Sequence, residues 1–268
     1  MPPKRFSVVI PAFNEAAFLG RALESLRDQD FAGDVEVIVV DNNSTDRTAD
    51  IARSYGALTL FESRRGVCWA RQLGTSAASG ELVLSTDADT VHPPDWLSRI
   101  DAQFLANGRC VAVAGPCRFA PAPMWARLYP TILFGVVHLV FAATSRVLYV
   151  TATNIAFRRS AFTGYDTTLT QGGDELGLLR CLRRQGPIIF DKTNVVTTSA
   201  RRLRRGLFYN LFVTLIFYYL IGYFVNRAAS RTIFPTAPAF RDDKPGRPRL
   251  ALLMGIPLTL GCLLIWAV

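Results

Sequence analysis

A chain of 268 residues has room for one sizeable α/β domain and a short appendage. Its five cysteines (Cys68, Cys110, Cys117, Cys181 and Cys262) stand far apart without a Cys-x-x-Cys pair, and its two histidines are His92 and His138; this argues against a disulfide framework, a zinc site or a histidine-rich metal centre. The net charge of +9 would suit nucleic acid, anionic lipid or a phosphorylated substrate, but many basic residues gather at Arg201-Arg202-Leu203-Arg204-Arg205 and between Arg227 and Arg249, beside apolar segments, which is a membrane-surface pattern more than a nucleic-acid one.

The opening Met1-Pro2-Pro3-Lys4-Arg5 leads straight into an apolar run, so no signal peptide is expected. Residues 6–10 read as a strand, and 16–27 as a helix with Phe18, Leu19, Leu23 and Leu26 at helical spacing. A second buried strand, 35–40, ends at Asp41, and Ser44 is a candidate N-cap for a helix over 45–55. The alternation continues with a strand at 58–61, a helix at 67–78, a strand at 82–86, a helix at 96–105 and a strand at 111–114. Repeated β-α units predict a mainly parallel sheet with right-handed crossovers. A Rossmann dinucleotide site is set aside because no Gly-x-Gly-x-x-Gly follows the first strand, which ends instead in Pro11-Ala12-Phe13-Asn14-Glu15. Residues 124–141 are apolar with Arg127 and His138 interspersed, and read equally as an interfacial amphipathic helix or an ordinary core helix. Beyond them, 147–157 reads as a strand, 174–184 as an amphipathic helix and 188–190 as a strand.

Segments 207–225 and 250–268 are uncharged, and each is close to the roughly 20 residues a spanning helix needs. Two full crossings would place Arg227, Arg231, Arg241, Lys244, Arg247 and Arg249 on the outside, against the positive-inside rule. A re-entrant or in-plane first segment relieves that conflict.

Asp87-Ala88-Asp89 is the most informative triplet. It follows the apolar run Glu81-Leu82-Val83-Leu84-Ser85-Thr86, so both carboxylates stand just past the C-terminal end of a buried strand. In an open α/β sheet that edge is where ligands bind. Two acids one residue apart suit a hard divalent cation that also holds a substrate diphosphate. The plain alternative is a solvated turn with an Asx cap ahead of Pro93-Pro94.

With these residues placed, the chain resembles the family 2 inverting glycosyltransferases of the GT-A fold over roughly residues 6–202. Val8-Val9-Ile10-Pro11-Ala12-Phe13-Asn14-Glu15 is similar to the family's opening strand signature, and Val39-Val40-Asp41-Asn42-Asn43-Ser44-Thr45-Asp46 to its second-strand signature. Asp87-Ala88-Asp89 through Pro93-Pro94-Asp95-Trp96-Leu97 is similar to its metal motif. Gly172-Gly173-Asp174-Glu175-Leu176, with Arg180 beyond, is similar to its catalytic motif. The resemblance implies an α/β GT-A domain over residues 1–206, and the uncharged segments 207–225 and 250–268 predict a membrane-associated region over 207–268 with a pair of hydrophobic helices.

It also implies roles. Pro11 and Phe13 would wall the nucleoside, Glu15 and Asp41 would contact it, and Arg71 in Ala70-Arg71-Gln72-Leu73-Gly74 would reach the diphosphate through its fork of donors. Asp87 would meet ribose and metal, while Asp89 would ligate Mg²⁺ or Mn²⁺ bridging the diphosphate. Asp174 would be the general base that deprotonates an acceptor hydroxyl, and Asn154 a secondary contact near donor sugar and acceptor. Asp41 and Asp174 also read as helix caps, and Arg71 as a solvated helix face. Two departures stand out: Gln72 replaces the usual Asn, and Gly173 stands where Glu commonly precedes the catalytic Asp, which keeps Glu175 as the fallback base. His92 is left out of the metal set as a structural histidine.

The processive Gln-x-x-Arg-Trp motif is missing, so a single transfer from a nucleotide-diphosphate sugar is expected, to a hydroxyl of a lipid-linked or cell-envelope acceptor on the cytoplasmic membrane face. The closest alternative is a polyprenyl-phosphate glycosyltransferase, because Asp87-Ala88-Asp89-Thr90-Val91-His92-Pro93-Pro94 also resembles the motif of the polyprenyl-phosphate mannose synthases. A non-catalytic membrane scaffold of the same fold and a nucleotidyltransferase are further alternatives. The nucleotidyltransferase would open with a Gly-rich basic loop after the first strand, which this chain lacks.

Overall fold

Phe6, Val8, Val9 and Ile10 are fully buried, as are Ile38, Val39 and Val40 and then Leu82, Val83 and Leu84. Such runs of apolar, largely β-branched residues belong to parallel strands covered on both faces. In the computed structural model, which describes residues 4–167, 174–222, 224–226 and 233, they pair as expected. Strand β1 (Phe6–Ala12) lies between β2 (Val35–Asp41) and β4 (Leu82–Ser85), parallel to both. With β3 (Leu58–Phe61), β6 (Ala112–Ala114), β8 (Ile155–Arg158) and β9 (Ile188–Phe190), the sheet runs in the order β3-β2-β1-β4-β8-β6-β9. Only β8 is antiparallel to its neighbours. The chain winds from β1 outward to β3, then returns to β4 on the other side of β1. The order therefore reverses between β1 and β4, and the carboxyl ends there form the crevice in which open α/β sheets bind ligands.

Helices α1 (Leu19–Arg27), α2 (Thr48–Ser54) and α3 (Val67–Ala77) make the crossovers. Helix α3 sits against β1 and β2 at Gly74, where a Cβ would stand 2.5 Å from Val9 Cγ1 and 2.9 Å from Val40 Cγ2. That close approach sets how far Arg71, one turn earlier on the same helix, projects toward the sheet's carboxyl edge. A second, three-stranded sheet lies beyond that edge in the order β5-β10-β7, built from β5 (Thr90–Val91), β7 (Cys117–Ala120) and β10 (Val196–Ser199). Helices α4 (Trp96–Ala106), α5 (Met124–Thr144) and α6 (Asp174–Gln185) complete the domain, followed by a 3₁₀ turn at Arg201–Arg205 and a π-helical segment at Tyr209–Gly222.

Several local expectations shift. Residues 147–154 are not part of a strand, and β8 begins only at Ile155. The reason is a turn: the Asn154 N–H donates to the Thr151 carbonyl at 3.2 Å and the Thr151 and Thr153 hydroxyls stand 2.9 Å apart, so the β-branched run is spent on local bonds. Ser44 does not cap α2. Its Oγ accepts the Asn14 N–H at 2.9 Å, and the Thr48 N–H is taken by Asp46 Oδ1 at 3.0 Å. Helix α1 begins at Leu19 and not at residue 16, because the preceding loop is tied to the β2 loop. Asn14, at φ 53°, accepts the Thr45 N–H at 2.7 Å, and Ala16 donates to Asp46 at 3.1 Å. Of the two apolar C-terminal segments, 250–268 lies outside the described residues.

His92 is packed as a structural residue. Its Nε2 is 2.8 Å from Thr86 Oγ1, its Nδ1 is 3.1 Å from Ser25 Oγ, and its ring centroid lies 4.1 Å from that of Trp96. Burial holds its pKa down, from 6.5 to about 3. The unfolded chain therefore takes up the extra proton first as acid is added, and the fold loses stability as pH falls from 6.5 toward 3. Urea midpoints measured across that window are expected to fall less steeply for His92→Gln than for the unmodified chain. Equal slopes would show that His92 is not buried in its neutral form.

Candidate active site

Each strand ending at the reversal point delivers a carboxylate. Asp41, the last residue of β2, is buried and its Oδ1 accepts the Ser44 N–H at 3.0 Å, which fixes the side chain in an Asx turn. At the end of β1, Pro11 and Phe13 are half-buried, with the Arg65 guanidinium 5.3 Å from the Phe13 ring centroid. Past β4, Asp87 and Asp89 are each met by an arginine. Arg71 Nη2 donates to Asp87 Oδ1 at 2.6 Å, and Arg201 Nη2 stands 2.9 Å from Asp89 Oδ2. Thr198 on β10 also reaches Asp89, its hydroxyl 3.3 Å from Oδ1.

Arg201 is the residue the sequence did not single out. It belongs to the basic cluster whose pattern suits a membrane surface, yet its side chain is only 15% exposed and turns into the site. It donates bidentately to Glu15, Nη1 to Oε2 at 2.7 Å and Nη2 to Oε1 at 2.6 Å, and packs 4.9 Å from the Phe18 ring centroid. A planar fork that spans two carboxylates holds them at a fixed separation. The signal that could have found it is its place directly after the Thr-rich run 197–199, which adds β10 beside the metal loop.

Three of the expected site residues have partners within the protein. Glu15 is buried, and both of its oxygens accept from Arg201. Arg71 is buried beside Asp87 and orients that carboxylate at the carboxyl edge of the sheet. Asn154 is 2% exposed, and its amide is committed to the scaffold. Its Nδ2 donates to the carbonyls of Pro116 at 3.0 Å and Asn194 at 2.7 Å, while its Oδ1 accepts from the Trp96 indole at 2.9 Å. Gly115 lets this amide in, since a Cβ there would stand 2.6 Å from Asn154 Nδ2. Asn154 therefore ties the main sheet to the second one beneath the crevice. Asp174 opens α6, but its side chain lies outside the described residues, as do Gly172 and Gly173.

The donor set fits a hard divalent cation. Among the described residues no three His, Cys, Asp or Glu side chains cluster. Asp87 and Asp89 would supply two oxygen ligands, leaving the other positions to phosphate oxygens and water, which is how Mg²⁺ is usually held beside nucleotides. Burial pushes the pKa of Cys117, near Asp87, up to about 11.

A mainly parallel sheet with paired carboxylates at its reversal point, faced by a small second sheet, defines a GT-A-like nucleotide-sugar fold. The match to the model of glycosyl transferase family 2 covers residues 7–165, and the chain belongs to that family. An uncharacterized glycosyltransferase of Nostoc sp. is 34% identical over 109 residues, 38% of this chain and 34% of that protein. The validoxylamine A glucosyltransferase of Streptomyces hygroscopicus subsp. jinggangensis is 36% identical over 118 residues, 41% of this chain and 28% of that protein. The chain thus matches only about a third of the length of these curated relatives. Among solved structures, the mannosyltransferase PcManGT from Pyrobaculum calidifontis, in complex with GDP-Man and Mn²⁺, superimposes with a TM-score of 0.61 at 25% identity, covering 76% of this chain and 61% of that one.

Proposed function

We propose that the chain moves a single sugar, with inversion, from a nucleotide-diphosphate sugar to a hydroxyl of a lipid-linked or cell-envelope acceptor at the cytoplasmic face of the membrane. Residues 1–206 would form the catalytic domain and 207–268 the membrane-associated region. The observation that carries the reading is the pair Asp87 and Asp89 at the sheet's reversal point, each oriented by an arginine. A GT-A neighbour that binds GDP-Man and Mn²⁺ supports the donor class and the use of Mg²⁺ or Mn²⁺.

Asp41 and the Pro11–Phe13 wall hold the nucleoside. Asp87 and Asp89 hold the cation, which when bound supplies Lewis-acid neutralisation of charge on the departing diphosphate. Arg71 and Arg201, beside Asp87 and Asp89, would bring positive charge to the diphosphate. Asp174, at the start of α6, takes the acceptor's proton.

The His-Pro-Pro part of the metal loop does not favour a phosphate acceptor, because His92 is enclosed by Thr86, Ser25 and Trp96 and serves the fold. The test uses membranes containing the protein, a divalent cation and a panel of labelled nucleotide sugars, with Asp174→Asn alongside. Labelled lipid stable to mild acid is expected, with a loss of transfer in Asp174→Asn of about 10²- to 10⁴-fold, the usual worth of a general base, and unchanged donor binding. Label released by mild acid as the free monosaccharide would identify a sugar phosphate on a polyprenyl carrier and overturn both the hydroxyl acceptor and the base.

A further inference from the structure

Helix α5 has two faces that make different demands. On one, Ala126, Pro130, Phe134 and Val137 are buried. Phe134 and Val137 join the main core, and the Phe134 ring stacks on Phe190 with centroids 6.2 Å apart. On the other, Met124, Leu128, Ile132, Val136 and Leu139 fall at helical spacing and are exposed, Met124 at 79%, Ile132 at 64% and Leu139 at 68%. The helix is long and apolar enough to cross a bilayer by length and composition. Crossing would strip its inner face from the core, so the stripe can meet lipid only with the helix lying flat.

Charge says which surface the stripe meets. No aspartate or glutamate occurs between Asp101 and Asp166, the stretch that holds α5, or between Asp191 and Asp242, the stretch that holds the 3₁₀ turn. Exposed Arg127 lies on α5 and exposed Arg146 just beyond its end, with exposed Arg205 on the turn. The two stretches touch. Ala126 of α5 packs with Ala200 and Leu203 in a small apolar cluster of its own. Exposed Leu207 and Phe208 follow the turn directly. An apolar stripe on stretches of chain that carry arginines and no carboxylate is complementary to an anionic lipid headgroup layer.

We propose that the outer stripe of α5 lies in the plane of an anionic bilayer, seated in the headgroup region with Arg127 and Arg146 at its margins. This deepens the membrane reading above by naming the contact surface. Its test does not depend on transfer, so the two can fail separately. An environment-sensitive fluorescent amino acid is placed at Ile132 in the full chain, with a second version carrying it at exposed Asp50 on α2 as control. Each is mixed with vesicles of phosphatidylcholine and phosphatidylglycerol that carry nitroxide-labelled lipid. A blue shift with nitroxide quenching at position 132, little at position 50, and weaker quenching in phosphatidylcholine alone are expected. Water-like emission at 132 while the protein floats with the vesicles would overturn the proposal, since other segments would then be the anchor. Emission already blue-shifted without vesicles and unchanged by them would overturn it too, by showing that protein covers the stripe. Equal quenching in phosphatidylcholine alone would overturn the anionic preference.

Discussion

Asp89→Ala is expected to cut transfer by about 10²- to 10³-fold, the scale seen when one group that stabilises developing charge is removed. The fold should survive, because Arg201 keeps both bonds to Glu15 after the carboxylate is gone. Binding of a nucleoside diphosphate measured with and without Mn²⁺ separates the possibilities. In the unmodified chain Mn²⁺ should tighten binding and EDTA should abolish transfer; in Asp89→Ala the difference made by Mn²⁺ should largely vanish. Undiminished transfer in EDTA would remove the metal from the reading.

Arg201→Ala is expected to damage stability and donor binding together. Losing the guanidinium removes both of its bonds to the buried Glu15 carboxylate, and breaking a buried pair from one side costs about 3–5 kcal/mol. Arg201→Lys keeps the charge but not the bidentate fork, so it should recover part of the stability and less of the nucleoside diphosphate affinity. Urea unfolding and calorimetric titration read the two effects independently. If Arg201→Ala unfolds at the same urea concentration as the unmodified chain, the Glu15–Arg201–Asp89 cage is not formed in solution. If both variants bind the diphosphate unchanged, Arg201 has no part in the donor site.

What the sequence discloses and what it hides divide along a physical line. Strands β1, β2 and β4 announce themselves because burial on both faces demands unbroken apolar runs, and their terminal acids follow at fixed offsets. Asp41, Asp87 and Asp89 are readable for that reason. Arg201, Glu15 and Asn154 owe their roles to partners far along the chain. In the sequence Arg201 is one arginine among several, and Asn154 resembles a polar residue near a ligand when it is the peg between two sheets. Strands β5, β7 and β10 have two to four residues each and no alternation to detect. Residues 147–154 carry β-branched side chains but close a turn, because Thr151 and Thr153 can satisfy backbone and hydroxyl locally.

The cage joins residues that lie 186 positions apart, Glu15 and Arg201. Closing so long a loop costs more entropy than winding any neighbouring β-α unit, so the local units assemble first and this contact comes late. Until β10 docks and brings Arg201 across, Glu15 and Asp89 face each other without their shared cation. The family-matched stretch, ending at residue 165, thus contains every donor-side carboxylate but not the arginine that neutralises two of them. A nascent chain halted there would carry the carboxylates of the crevice before the guanidinium that spans Glu15 and Asp89 has been made.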